Sequence, residues 1–189
     1  NTTMIQVAAA YSSVVNGGSY YKPHVAKQIL NSKGAVIKNI DPELVRETVS
    51  AHTTIFINEA LRRTVAEGTG GAAAVAGYDV GGKTGTAEKY PRGNGNYLVS
   101  FIGSVAAQSP EVVCYVLVDT PHVADQARSA YASSLFSKIM TEVLPYMNIY
   151  SNVDEGIDVS SFPSAEGITD SSTQTEAETK VYSREEVIP

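Results

Sequence analysis

The stretch from Gly68 to Gly95 limits the fold of this chain more than any other. It holds glycine at positions 68, 70, 71, 77, 81, 82, 85, 93 and 95, with Pro91 near its end and Lys83-Thr84-Gly85-Thr86 in its middle. Each interior glycine costs a helix about 1 kcal/mol relative to alanine, and a proline about 3 kcal/mol. No helix of useful length can therefore start at Lys83. Gly77 to Thr84 nevertheless spells G-x-x-x-x-G-K-[ST], the phosphate-cradling loop of nucleotide-binding proteins. That loop works only where it leaves a buried strand and where its Lys-Thr opens a helix whose N–H groups face the phosphates. Upstream, AAAVAGYDV is small and broken by glycine; downstream, Glu88 to Tyr97 leaves no room for a crossover helix. VVCYVLVD, an apolar run ending in aspartate, is the one other piece that suits a nucleotide site. The reading left for Asp79 to Lys89 is a strand.

Two further strands follow, Tyr97 to Val105 and Glu111 to Asp119, and the short connection Ala-Ala-Gln-Ser-Pro suits an antiparallel pair. Helices are predicted on either side. Thr3 with Gln6 forms a capping box ahead of an apolar stripe at Val7, Tyr11, Val14 and Val15, and Gly17 stops that helix. A second runs from about Thr53 to Glu67, with Ile57, Leu61 and Val65 on one face and Gly68 at its end. A third runs from about Ala127 to Leu144, where Tyr131, Leu135, Phe136, Ile139, Met140 and Val143 recur at helical spacing before Pro145 ends it. Val25 to Leu30 and Ala35 to Ile40 flank Asn31-Ser32-Lys33-Gly34 and read as a hairpin. The class is α+β, an antiparallel sheet packed by helices.

Charge divides the chain near Tyr150. Of the net −6, Ser151 to Pro189 contributes nine acids against two bases, so residues 1–150 are close to neutral. This Ser/Thr-rich acidic stretch has no sustained period and reads as a solvated linker, which implies that something follows it. With a helix starting almost at residue 1, the chain reads as part of a longer one. A neutral body with no basic patch argues against nucleic acid. No apolar run is long enough to span a membrane. Cys114, the single cysteine, reads as a small buried hydrophobe. His24, His52 and His122 are too far apart in sequence for a local metal site. Asp119 and Asp125 read as a strand end and a helix start rather than a carboxylate pair, and Tyr11, Tyr20, Tyr21 and Tyr131 as core and rim.

A Lys-Thr-Gly strand beside a cleft offers an ammonium, a hydroxyl and a position without a side chain in succession, which suits an anionic ligand whose backbone lies along the strand edge. K-T-G is one of the motifs of penicillin-binding proteins and β-lactamases. Five stretches carry a wider pattern: TTMIQVAAAYSSVVNGGSYYKPHV, the helix Ile55 to Glu67 with its EGTG end, GYDVGGKTGTAEK, YLVSFIGSVAA and VVCYVLVDTP. In order and spacing they resemble the C-terminal part of the transpeptidase domain of class B penicillin-binding proteins, of the sporulation and division type, over residues 1–150. The tail ending in EEVIP resembles the joint that leads to a PASTA module in such proteins.

The resemblance implies a penicillin-binding, β-lactamase-like fold and a D,D-transpeptidase that cross-links peptidoglycan stem peptides through a serine acyl-enzyme, with no cofactor and no metal. It implies that Lys83 orients substrate and helps proton traffic, and that Thr84 and Thr86 hydrogen-bond the carboxylate of a D-Ala-D-Ala stem or a β-lactam. Gly85 makes room for the ligand backbone, and the Thr86 N–H is an oxyanion donor. The chain is read as lacking the S-x-x-K nucleophile and the S-x-N motif, and so as silent alone, with the strand Glu111 to Asp119 missing a neighbour. Tyr150-Ser151-Asn152 fits Y-x-N by letters only. The parent is expected at the outer face of the bacterial cytoplasmic membrane, anchored by a preceding segment and working with divisome or elongation-type membrane proteins. The alternative is a non-catalytic module that binds peptides or a partner along the K-T-G edge.

Overall fold

The structure, a computed structural model, describes residues 2–106 and 109–151, so the predicted linker beyond Ser151 and its joint to a further module lie outside the described residues. Helix α1 spans Met4–Val15. Its capping box forms as the spacing predicts, with Gln6 N donating to Thr3 Oγ1 at 3.4 Å and Thr3 N to Gln6 Oε1 at 2.9 Å. The chain then enters β1 (Ser19–Tyr21), the hairpin β2 (Gln28–Leu30) and β3 (Val36–Asn39), and β4 (Leu44–Glu47). In the hairpin turn Asn31 Oδ1 accepts from the N–H groups of Lys33 and Ala35, both at 2.9 Å, and Gly34 takes a φ of 82°. Strand β4 returns antiparallel to β1, with Ser19 opposite Glu47.

Helix α2 (Ala51–Ala66) begins two residues before the predicted start, because Ser50 caps it by accepting from Thr53 N at 3.2 Å. Its inward face is as polar as it is apolar. Val65 is buried and Ile57 and Leu61 are half-buried, while Thr54 and Asn58 are buried as well. These two polar side chains reach across to the end of α1, where Thr54 Oγ1 donates to Val14 O at 2.8 Å and Asn58 Nδ2 to Val15 O at 3.1 Å. The last carbonyls of a helix have no intrahelical partner, and here α2 supplies it to α1.

After a 3-10 turn at Gly71–Ala73 come β5 (Val80–Glu88), β6 (Tyr97–Val105) and β7 (Val112–Asp119), in an antiparallel sheet of order β5-β6-β7. The three predicted strands therefore form, β6 and β7 as the predicted antiparallel pair, with β5 on the other side of β6. Thr84 lies opposite Phe101, and Leu98 opposite Asp119. Helix α3 (Ala130–Tyr146) covers the sheet, and its Phe136, Met140 and Leu144 are buried with Val65, Phe101, Val105 and Val116.

Two features of α3 correct the sequence reading. It starts at Ala130, so Asp125 is not its start, and Pro145 lies inside its last turn. A proline so late removes only one terminal N–H bond and cannot end the helix before itself. The stop is Asn148, which takes a φ of 59°. Asn148 N donates to Pro145 O at 3.0 Å and Ile149 N to Leu144 O at 2.9 Å, the paired closure of a left-handed helix cap.

Candidate active site

All four residues singled out in the sequence lie on β5, but they do not face one way. Successive side chains of a strand alternate between faces, so Lys83 and Gly85 share one face and Thr84 and Thr86 the other. What the four have in common is the outer edge of β5, which pairs with no other strand among the described residues. The flexible Lys83 stem bends over that edge, and its Nζ donates to Thr84 O at 3.0 Å and to Thr84 Oγ1 at 3.1 Å. Ammonium and hydroxyl thus meet although the pleat separates them.

The remaining partners fix the rest of the strand. The Thr84 hydroxyl lies 3.3 Å from the Thr69 hydroxyl, on the turn that follows α2. The Thr86 hydroxyl donates to Ala127 O at 3.4 Å, ahead of α3. A Cβ built on Gly85 would stand 2.5 Å from Ser100 Oγ, so β6 crowds this position from behind. Behind the strand, the Tyr11 hydroxyl donates to Gly81 O at 3.3 Å, and burial pushes its pKa up to about 12 against the hydrogen bond from Ser104. At the far end Lys89 Nζ meets Asp119 Oδ1 at 2.7 Å and Thr120 Oγ1 at 3.2 Å, which joins the end of β5 to the end of β7 and holds the Asp119 carboxyl below its usual range. Upstream, burial raises the pKa of Asp79, opposed by the nearby Arg62 guanidinium.

Lys83 and Thr84 lie mid-strand, so the nucleotide-loop geometry does not form. The family model for the penicillin-binding protein transpeptidase domain matches residues 1–141. The chain belongs to the penicillin-binding protein transpeptidase family. It is 40% identical over 153 residues to stage V sporulation protein D of Bacillus subtilis, covering 79% of this chain and 24% of that protein. It is 31% identical to the penicillin-binding protein PbpB of Mycolicibacterium smegmatis, covering 82% of this chain and 26% of that one. Among solved structures, penicillin-binding protein 3 of Mycobacterium tuberculosis complexed with ampicillin matches with a TM-score of 0.68 and 28% identity, over 82% of this chain and 37% of that chain. This transpeptidase-family chain therefore spans about a quarter of the length of these curated relatives. Its fold is part of the penicillin-binding, β-lactamase-like fold.

The absence of the S-x-x-K letters needs a correction: Ser19-Tyr20-Tyr21-Lys22 spells them. Ser19 to Tyr21 form β1 and Lys22 follows it directly, so the arrangement is extended and not a helical turn. Residues three apart stack on one face of a helix, whereas on a strand they lie on opposite faces about 10 Å apart. Ser19 N is held by Asn16 Oδ1 at 3.0 Å, and Lys22 Nζ pairs with Glu43 at 3.3 Å. Tyr146-Met147-Asn148 likewise spells Y-x-N and forms the end of α3. The structure puts Asp119 and Asp125 in separate ion pairs, with Lys89 at 2.7 Å and Arg128 at 3.9 Å. Cys114 is half-buried rather than fully buried. Among the described residues no group of three or more His, Cys, Asp or Glu comes together, and no helix is long and apolar enough to cross a membrane.

Sequence reasoning singles out the EGTG helix end but gives Thr69 no role. Its position fifteen residues before Thr84 carries no periodic signal; only the tertiary approach of the turn to β5 shows it.

Proposed function

We propose that this chain is the substrate-binding C-terminal part of a serine-type peptidoglycan D,D-transpeptidase, with β5 as the strand along which the stem peptide or a β-lactam lies. The observation that carries this reading is the meeting of the Lys83 ammonium and the Thr84 hydroxyl on the open edge of β5, in a chain of the transpeptidase family. An ammonium and a hydroxyl at one point supply charge and a directed hydrogen bond to a carboxylate. In this reading Thr86 adds its hydroxyl, at present given to Ala127 O, and its backbone N–H stabilises the developing oxyanion. Loss of one such donor costs about 3 to 4 kcal/mol of transition-state stabilisation. Gly85 lets the ligand backbone approach.

Cross-linking then runs by nucleophilic catalysis: a serine displaces the terminal D-alanine of one stem, and the amine of a second stem attacks the acyl-enzyme. In this reading the reacting serine and its lysine are not among these 189 residues, because the one S-x-x-K run, Ser19 to Lys22, is extended rather than helical, and the chain alone does not acylate. The same reading puts the parent protein at the outer face of the cytoplasmic membrane, anchored outside this chain and accompanied by other cell-wall membrane proteins. The likeness to a relative solved with ampicillin supports β-lactams as ligands.

Intact mass before and after incubation with a penicillin tests this, on the 189-residue chain and on the longer product of the same reading frame. A stable adduct on the longer protein alone is the expected result. An adduct on the short chain would overturn the missing serine, and none on either would overturn the acylating function.

A further inference from the structure

The Lys83–Thr84 pair has a third member. Lysine has three donors and no acceptor, so in the contact at 3.1 Å Lys83 Nζ donates and Thr84 Oγ1 accepts. The Thr84 proton is left to point elsewhere, and the other hydroxyl within reach among the described residues is Thr69 Oγ1 at 3.3 Å. Thr69 is held there by backbone. Glu67 N donates to Arg63 O at 2.8 Å, Gly70 N to Thr64 O at 2.9 Å and Ala73 N to Gly70 O at 2.8 Å. A Cβ on either Gly68 or Gly70 would stand 3.0 Å from Thr64 O, so both flanking glycines let the turn seat closely on the end of α2.

A hydroxyl has one proton and two lone pairs. With the edge of β5 empty, Thr84 gives its proton to Thr69. When an anion takes that proton, Thr84 has a second lone pair to offer, and the Thr69 hydroxyl can turn about its own C–O bond and donate to it. The Thr69–Thr84 bond therefore exists in both states with its direction reversed, and Thr84 remains against Lys83 throughout.

We propose that Thr69 is a positioning residue of the anion site, holding the Thr84 hydroxyl against Lys83 and reversing its hydrogen bond when a ligand carboxylate binds. The proposal rests on the reading of β5 as a carboxylate-binding strand. It adds a residue from outside that strand, fixed by the end of α2, to the recognition of the anion.

The test is a double-mutant cycle in the full-length protein, reading the second-order rate constant of acylation by a penicillin and by its methyl ester. Thr69→Val is expected to slow acylation by the free acid about fivefold, the worth of one neutral hydrogen bond. Thr69→Ser should restore it to within about twofold, and Thr69→Val with Thr84→Val should be no slower than Thr84→Val alone. The deficit should shrink with the ester, which a loss of mere stability would not produce. If Thr69→Val folds poorly, Thr69→Ala reads the same loss. Wild-type rates in Thr69→Val, a serine variant as slow as the valine one, or effects that multiply across the pair would overturn the role of Thr69. A wild-type protein that is not acylated would overturn the site reading itself and the role of Thr69 with it.

Discussion

Phe101 and Phe136 meet edge to face with ring centroids 4.8 Å apart, in a space that Gly82 and Gly103 leave open between β5, β6 and α3. A Cβ on Gly82 would stand 2.3 Å from Phe101 Cζ and 2.7 Å from Ile102 O. The ring beneath is fully buried and has nowhere to go. Gly82→Ala is expected to lower stability by about 1 to 3 kcal/mol through overpacking, and Phe136→Ala by about 3 to 5 kcal/mol through the cavity it leaves. Denaturant unfolding followed by circular dichroism measures both. A Gly82→Ala protein as stable as wild type would mean that the rings do not fill the space above that glycine.

On β5 itself, Thr84→Val removes the hydroxyl proposed to meet the ligand carboxylate. Such bonds are worth about 1.5 to 3 kcal/mol, so acylation of the longer protein should slow about ten- to a hundredfold. Lys83→Ala removes a charge and, in the proposed mechanism, a proton-handling group, and a loss of at least about a hundredfold is expected. Rapid-mixing kinetics with a fluorescent penicillin gives both values, and an unimpaired Lys83→Ala protein would remove Lys83 from the site.

Glu59 is clamped by two arginines on α2, with Arg62 Nε at 2.9 Å and Arg63 Nε at 2.8 Å. The Arg62 hydrogen bond first and the Arg63 bond second lower its carboxyl from 4.5 to about 2. A depressed folded-state pKa means that the contribution is fully present above 4.5 and is lost as pH falls through about 2. The carboxylate is partly open to solvent, so the effect of Glu59→Gln at neutral pH should stay below about 1 kcal/mol. The difference in stability between wild type and Glu59→Gln should vanish near pH 2, as measured by unfolding from that pH up to neutrality.

Ser50 caps α2 in a sequence context, Ser-Ala-His-Thr, that lacks the acidic or amide third residue of a capping box. Ser50→Ala should cost about 1 kcal/mol and leave acylation by the longer protein unchanged. Thermal unfolding beside acylation rates checks both halves of that statement.

Strands β5, β6 and β7 are readable because each is eight or nine residues long, with glycine and proline punctuation between the first two. Strands β1 and β4, of three and four residues, are too short for a period to register. The Ser50 cap lies outside the apolar stripe that marks α2, and the Asn148 stop is masked by Pro145, the stronger breaker in sequence but placed where its missing N–H matters least. For the candidate site, Lys83, Thr84, Gly85 and Thr86 are legible as letters, and their common edge as a consequence of the strand. The grip of Ala127 O on the Thr86 hydroxyl and the approach of Thr69 depend on contacts across 41 and 15 residues, which no local pattern encodes, and the bend of Lys83 back to its neighbour Thr84 depends on a side-chain conformation that the letters do not specify.

In the proposed site the folded-back Lys83 also bears on affinity. Its ammonium already has two oxygen neighbours, the carbonyl and hydroxyl of Thr84, so an arriving ligand does not meet a bare cation. It meets the one donor of three that the Thr84 oxygens leave over. Those two contacts set where the ammonium stands, so a ligand carboxylate gains a charge at a fixed position without first ordering a long side chain. A neutral ligand oxygen gains a single hydrogen bond there, and the preference for anions is prepared by where the lysine already rests.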